Sequence, residues 1–282
     1  IAQIIALILQ VGPLAATGEL GVLRGEEAST AAALGSSASG IASAITTLLS
    51  SILLSGMLTV IVGRAVFGAG ITIDEAWQRV RGRLLALIGY TLMVLVAVIV
   101  LVAVVVFILV AVATAANGVA AFAVGIPLGL GSAALFVYLW TVLSFAPPLI
   151  VLERLGVFPA IARSVKLVKG DFWRVLGIRL LATLVASVVA GAVSIPFSIA
   201  GQLLLLGSES TVTTLIALVL AAIGSAVGQI ITAPFSAGAV VLLYTDRRIR
   251  AEAFDLVLQT GAAIAPGAAP DSTDHLWLTR QP

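Results

Sequence analysis

The chain alternates between long apolar runs and short polar, basic stretches. Six apolar segments stand out: Ile1 to about Ala16, Ile41 to about Val62, Leu84 to Ala115, about Val119 to Ile150, about Val175 to Leu206, and about Thr211 to Tyr244. Crossing a hydrocarbon core about 30 Å thick takes roughly 20 apolar residues in a helix. Most of the segments exceed that length. A run of about 30 residues is still too short for two crossings and a turn, so the excess implies tilt or a helix that continues past the membrane surface. Ala116-Asn117-Gly118 and Gly207-Ser208-Glu209-Ser210 supply breaks, and Thr17 to Gly40 is a loop rich in Gly, Ser, Ala and Glu. Pro127, Pro196 and Pro234 are expected to kink or break their helices.

The connectors have a pattern of their own. Thr72 and Glu75 have the spacing of a capping box, which predicts a helix starting there. Trp77, Val80 and Leu84 form its apolar stripe, and Glu75 and Arg79 are spaced to pair. In the stretch Val151 to Arg179, Pro159 suits a first helical turn. Ile161, Val165 and Val168 then line one face and Arg163, Lys166 and Lys169 the other. Gly170 is placed to end that helix and Asp171 to cap the next. Beyond the last apolar run, Asp246 opens a short amphipathic helix with Ile249, Ala253 and Leu256 on its apolar side and Arg248 spaced to pair with Glu252. The order span, basic connector, span occurs twice, which suggests an internal duplication or simply two connectors built alike.

Composition sharpens this picture. Of 282 residues, 61% are hydrophobic and 10% charged, against about 25% charged in an ordinary soluble domain. From Leu84 to Leu152, 69 residues pass without one Asp, Glu, Lys or Arg, a run that a bilayer requires and water does not tolerate. The expected fold is therefore all-α, a polytopic transmembrane helical bundle of about six spans. It comprises a transmembrane domain over residues 1–258 and a disordered cytoplasmic tail over 259–282. The chain opens on Ile inside an apolar run, so an upstream start is expected; no basic n-region or cleavage site marks a signal peptide.

Charge gives the orientation. Alternating six spans puts fourteen of the fifteen Lys and Arg residues on one side and Arg24 alone on the other, so the basic side, with the C-terminal tail, is expected in the cytoplasm. The excess of Arg over Lys, with abundant Ala, Val and Gly, suggests a high-GC bacterial genome and hence a bacterial cytoplasmic membrane.

Candidate chemistry is sparse. There is no Cys, and the single His, His275, lies in the tail. No carboxylate falls in mid-span, and the inner-surface ones sit among arginines that pairing or capping explains. Neither a catalytic residue, a metal ligand nor a cofactor is therefore assigned, and nucleic-acid binding is not expected of basic residues tied to the membrane plane. Arg79, Arg83, Arg163, Lys166, Lys169 and Arg174 could gather anionic lipid headgroups or serve only to fix topology. Arg179, one turn into the fifth span, can snorkel to the inner surface. Gln229 is the best intramembrane polar candidate, as an interhelical hydrogen bond or a ligand contact. Ala182, Ala186 and Ala190, Gly224 and Gly228, and Gly125 and Gly129 make small faces for packing within the bundle or between copies.

One resemblance rests on particular residues. They are Gly68, Trp77, Arg79 and Arg83; Glu153, Ala160-Ile161-Ala162-Arg163-Ser164, Leu167-Val168 and Phe172-Trp173-Arg174; Ala233-Pro234-Phe235; and the closing run Leu243-Tyr244, Asp246, Arg248, Arg250, Glu252 and Phe254-Asp255-Leu256. This pattern resembles the glycerophosphoryl diester phosphodiesterase membrane-domain family, in particular its stand-alone actinobacterial members. In fused members a separate soluble barrel hydrolyses the phosphodiester with His and metal-binding carboxylates, and no such barrel is present in this sequence. The resemblance implies a membrane module without hydrolase activity. Two roles follow as expectations: an accessory or scaffold subunit with a protein partner in a membrane complex, or a protein that binds or moves phospholipid or glycolipid.

Overall fold

The structure is a computed structural model and describes residues 5, 8, 30–68, 70–115, 118–207, 210–262 and 274–278. The described residues form helices α1 (Thr30–Ala65), α2 (Ile73–Arg81), α3 (Leu84–Ala115), α4 (Gly118–Val142) and α5 (Ala146–Val151). These are followed by α6 (Val157–Lys169), α7 (Phe172–Gly207), α8 (Thr211–Glu252), α9 (Phe254–Ala262) and a 3-10 turn at Asp274–Trp277. No strand occurs among them.

Five stretches are long and apolar enough to cross a membrane: Gly40–Ala65, Leu84–Thr114, Phe122–Val151, Phe172–Leu206 and Val212–Glu252. They correspond to the second through sixth apolar segments; the first lies outside the described residues apart from Ile5 and Ile8. The protein is thus an all-α, polytopic transmembrane protein. The most apolar part of α3 buries none of its residues inside the protein, which is the inverse of a soluble helix and suits a face covered by lipid. The 42 residues of α8 are about twice the roughly 20 that one crossing takes, so this helix is longer than a single span requires. Pro127, Pro196 and Pro234 all lie inside continuous helices rather than at breaks.

The chain divides into two compact units, one made of Ile1–Ser55 with Leu180–Ala237, the other of Gly56–Arg179 with Gly238–Pro282. In the first, α7 and α8 meet through small residues. A Cβ on Gly224 would lie 2.9 Å from Phe197 Cβ, and one on Gly228 would lie 2.8 Å from Ser194 Oγ. Ser194 Oγ also donates to Gly224 O at 2.9 Å, and Ala186 and Ala190 are buried. The small faces on α7 and α8 therefore pack against each other within one chain.

In the second unit the capping box at α2 forms as the sequence predicts: Glu75 N donates to Thr72 Oγ1 at 3.3 Å and Thr72 N to Glu75 Oε2 at 3.4 Å. The buried face of α2 is Ala76 and Val80, while Trp77 is 39% exposed. Gly82 ends the helix, so Leu84 belongs to α3 and does not extend the α2 stripe.

The fourth apolar segment is interrupted at residues 143–145, with Pro147 and Pro148 in the first turn of α5. Such a break frees backbone groups, and in an apolar setting each one needs a partner. Three side chains from three helices supply them. Ser164 of α6 donates to Val142 O at 2.6 Å and accepts from Phe145 N at 3.2 Å. Tyr90 of α3 donates to Leu143 O at 2.9 Å. Arg179 of α7 donates to Trp140 O at 2.6 Å, its guanidinium lying 3.7 Å from the Trp140 ring centroid. Arg179 thus caps a broken helix end. The need for Ser164 inside turns α6 by about one residue from the expected stripe: Ala160, Ser164, Leu167 and Val168 are buried, with Ile161 and Val165 half-buried beside them.

Candidate functional site

The two most charged parts of the sequence, Val151 to Arg179 and the end of α8, come together around one buried carboxylate. Glu153 is the first charged residue after the 69-residue neutral run, and it follows α5 in a turn where Arg154 takes a left-handed backbone (φ 57°). Its side chain is fully buried. A carboxylate with no water around it requires compensating charge and hydrogen bonds.

The end of α8 provides them through helical spacing. Tyr244, Arg248 and Glu252 follow at intervals of four, on one face. Tyr244 donates its hydroxyl to Glu153 Oε1 at 2.5 Å, and Arg248 Nη1 lies 3.6 Å from the same oxygen. Arg163 of α6 places Nε 2.7 Å from Glu153 Oε2 and donates through Nη2 to both Glu252 oxygens at 2.8 and 2.9 Å. Arg248 Nε completes the ring by donating to Glu252 Oε2 at 3.0 Å. Two guanidiniums and two carboxylates thus neutralise one another. Arg247 turns the other way. Its Nε and Nη2 both donate to Leu167 O at 3.1 Å, and Nη1 pairs with Asp171. A cation on the last carbonyls of α6 is favoured by the helix dipole as well as by the hydrogen bonds. The carboxylate of Asp171, expected as a cap for α7, receives this arginine.

An aromatic group closes the site. Trp277 is 3% exposed and lies near-parallel to Tyr244, at 6.0 Å and 21°. Phe254 packs against it at 5.2 Å and Phe67 edge-on at 5.3 Å. Arg248 stands 4.1 Å from the Phe254 ring centroid and donates from Nη1 to Trp277 O at 3.2 Å. One expectation changes here. The helix opened at Asp246 was to bury Ile249, Ala253 and Leu256. Instead α8 continues to Glu252, Leu256 is 62% exposed, and Arg247, Arg248 and Phe254 face inward, because the carboxylates flanking α6, the buried Glu153 and the half-exposed Asp171, match the two arginines. Within residues 259–282, for which the sequence predicts a disordered tail, residues 274–277 form a 3-10 turn in which Trp277 is buried. His275's side chain lies outside the described residues.

The basic residues singled out from the sequence separate into distinct environments. Arg163 is committed to the charge ring. Arg174 lies 3.7 Å from Asp246, which also accepts from Arg250 at 3.0 Å. Lys166 and Lys169 point outward and are exposed, on the same stripe of α6 as Ala162 and Phe158, the last 77% exposed. Arg79, on α2, and Arg83, in the turn before α3, are half-buried. Gln229 is exposed on α8 and makes no part of this site. Sequence reasoning missed Glu153 as the centre, along with Ser164, Arg247 and Trp277. Only the isolation of Glu153 at the end of a neutral run was a usable signal. Among the described residues, no group of three or more His, Cys, Asp or Glu side chains comes together to hold a metal ion.

Fold and site together define a multi-span membrane protein whose charges form a neutral lock between α6 and the end of α8, centred on the buried Glu153 and Arg248 and reaching the surface at Glu252. The chain belongs to a family described as a domain of unknown function (DUF7847), whose model matches residues 2–247. The matched range includes Glu153, Arg163, Asp171, Tyr244 and Arg247, and stops before Arg248, Glu252 and Trp277. No curated protein and no solved structure matches the chain.

Proposed function

We propose that the protein is a non-enzymatic interaction module of a bacterial cytoplasmic membrane, an accessory or scaffold subunit of a membrane assembly with its short basic helices in the cytoplasm. The observation that carries this reading is the polarity of α6. Its inward cation, Arg163, is consumed by Glu153 and Glu252, and its outward stripe presents Phe158, Ala162, Lys166 and Lys169. Charges that neutralise one another around a buried carboxylate hold helices in register. An exposed aromatic residue beside them is the kind of anchor a partner surface takes. The orientation rests on the concentration of Lys and Arg in alternate connectors.

A second reading, a protein that binds or moves phospholipid or glycolipid, is favoured by the same stripe. Lys166 and Lys169 beside Phe158 suit the headgroup level of an anionic bilayer. The resemblance to the glycerophosphoryl diester phosphodiesterase membrane domain adds a phosphate-bearing glycerolipid as the ligand class. Native mass spectrometry of the protein released from its own membrane separates the two. A stoichiometric protein partner with exchangeable lipid supports the scaffold. A defined lipid in fixed ratio, without a protein partner, overturns it in favour of lipid handling. Arg163 is a poor probe of either role because its loss breaks the charge ring; Lys166 and Lys169 are the informative pair.

A further inference from the structure

Trp277 is held too specifically to be a passive part of a tail. Its indole has aromatic neighbours on three sides, Phe67, Tyr244 and Phe254, and its main-chain carbonyl is read by Arg248 Nη1. Those groups come from separate places: Phe67 follows α1, Tyr244 and Arg248 lie in the last turns of α8, and Phe254 opens α9. Ala253 adopts a left-handed backbone (φ 51°) between α8 and α9, a conformation uncommon for alanine; Phe254, next in the chain, lies beneath the Arg248 guanidinium. Leu278, the next residue along, is exposed and Leu276 is half-buried, so Trp277 is the buried side chain among those of this segment that the structure describes.

We propose that Phe67, Tyr244, Arg248 and Phe254 form a peptide-recognition pocket that takes a tryptophan side chain together with its carbonyl, and that the chain fills it in cis with Trp277. Three apolar walls suit an indole, and a guanidinium that is already charge-balanced by Glu252 is free to donate a further hydrogen bond to a neutral carbonyl. A covalently tethered occupant meets its pocket at an effective concentration on the order of millimolar. A separate peptide therefore enters only when Trp277 is displaced or removed. This inference does not depend on the scaffold or lipid reading, because it concerns a pocket of the chain for its own segment.

The test uses the full-length protein in nanodiscs and a fluorescent peptide of residues 270–282. The Trp277→Ala protein is expected to bind the peptide saturably, the unaltered protein at least tenfold more weakly, and a peptide carrying the same Trp277→Ala change at least tenfold more weakly than its parent. Equal binding to both proteins, equal binding of both peptides, or no saturable binding to the Trp277→Ala protein overturns the proposal. A second measurement needs no vacated pocket. With 5-fluorotryptophan incorporated throughout, the Trp277 fluorine resonance is identified by its loss in Trp277→Phe. It is expected to resist broadening by a water-soluble paramagnetic agent, and to lose that protection in Phe67→Ala. Broadening as strong as that of Trp173, which is 80% exposed, overturns the seat in the unaltered protein.

Discussion

Ser164→Ala tests whether the helix break at residues 143–145 is held by side chains. Ser164 is fully buried. Its hydroxyl donates to Val142 O at 2.6 Å and accepts from Phe145 N at 3.2 Å. Alanine removes one atom and leaves two buried backbone groups without that partner. Each costs about 1–3 kcal/mol when unsatisfied, and the better helix propensity of alanine returns roughly 0.5 kcal/mol. The net expectation is a loss of about 1.5–5.5 kcal/mol. Hydrogen bonds between membrane helices average only about 0.6 kcal/mol, because the unfolded chain in lipid finds other partners. The larger figure applies here because these are main-chain groups released by a break, with no helical partner of their own. The assay is reversible unfolding in mixed micelles. Ser187→Ala serves as the control, since Ser187 is exposed and its hydroxyl donates to Leu184 O in its own helix; it is expected to change stability by no more than about 0.5 kcal/mol. If Ser164→Ala costs no more than the control, the reasoning fails and the break is satisfied in some other way.

Other outcomes follow from the packing and the charges. Glu153→Gln keeps the shape and removes the central charge, and is expected to cost about 3–5 kcal/mol as a broken buried ion pair; in a cycle with Arg163→Gln the two losses should fall short of additivity by more than about 1 kcal/mol, read from the same unfolding curves. Gly224→Val brings a Cβ within 2.9 Å of Phe197 Cβ and should lose about 1–3 kcal/mol by overpacking. Gly191→Ala, whose Cβ meets nothing within 4 Å, should instead gain about 0.5–1 kcal/mol through helix propensity, so the two glycines are distinguished by sign. Lys166→Gln with Lys169→Gln should weaken the preference for anionic over zwitterionic lipid about 30-fold, at about 1 kcal/mol per cation. Lipid retention in mixed nanodiscs measures this, and an unchanged preference removes these lysines from the lipid reading.

The hydrophobic pattern by itself determined most of the architecture. Apolar runs of this length have one stable solution in a bilayer, because a helix alone satisfies its own backbone there, so the existence and order of the spans could be read. Two ends could not, since α1 begins at Thr30 inside the stretch expected as a loop up to Gly40, and α8 continues past Tyr244 to Glu252. The local signals of α2 and α6 were equally legible. Thr72 with Glu75, Pro159 in a first turn and Gly170 at an end are decided by neighbours three or four residues away. The small residues of α7 and α8 announced a close approach, and tertiary structure decided that they face one another.

The site was decided only by folding. Tyr244, Arg248 and Glu252 read as a helix-surface pattern, and Arg163 as one basic residue among several. What makes them a unit is Glu153, 91 residues from Tyr244 in sequence, and nothing local to a lone glutamate says which arginines will reach it. Ser164 reads as a minor flaw in an apolar stripe until the broken end of α4 is brought beside it. Trp277, a few residues beyond a stretch of Gly, Ala and Pro, carries no periodic signal at all. Helices and spans depend on interactions within a turn or on the solvent around a segment, and both are written along the chain. A buried charge ring depends on which distant groups share a space without water, and that is settled when the helices pack.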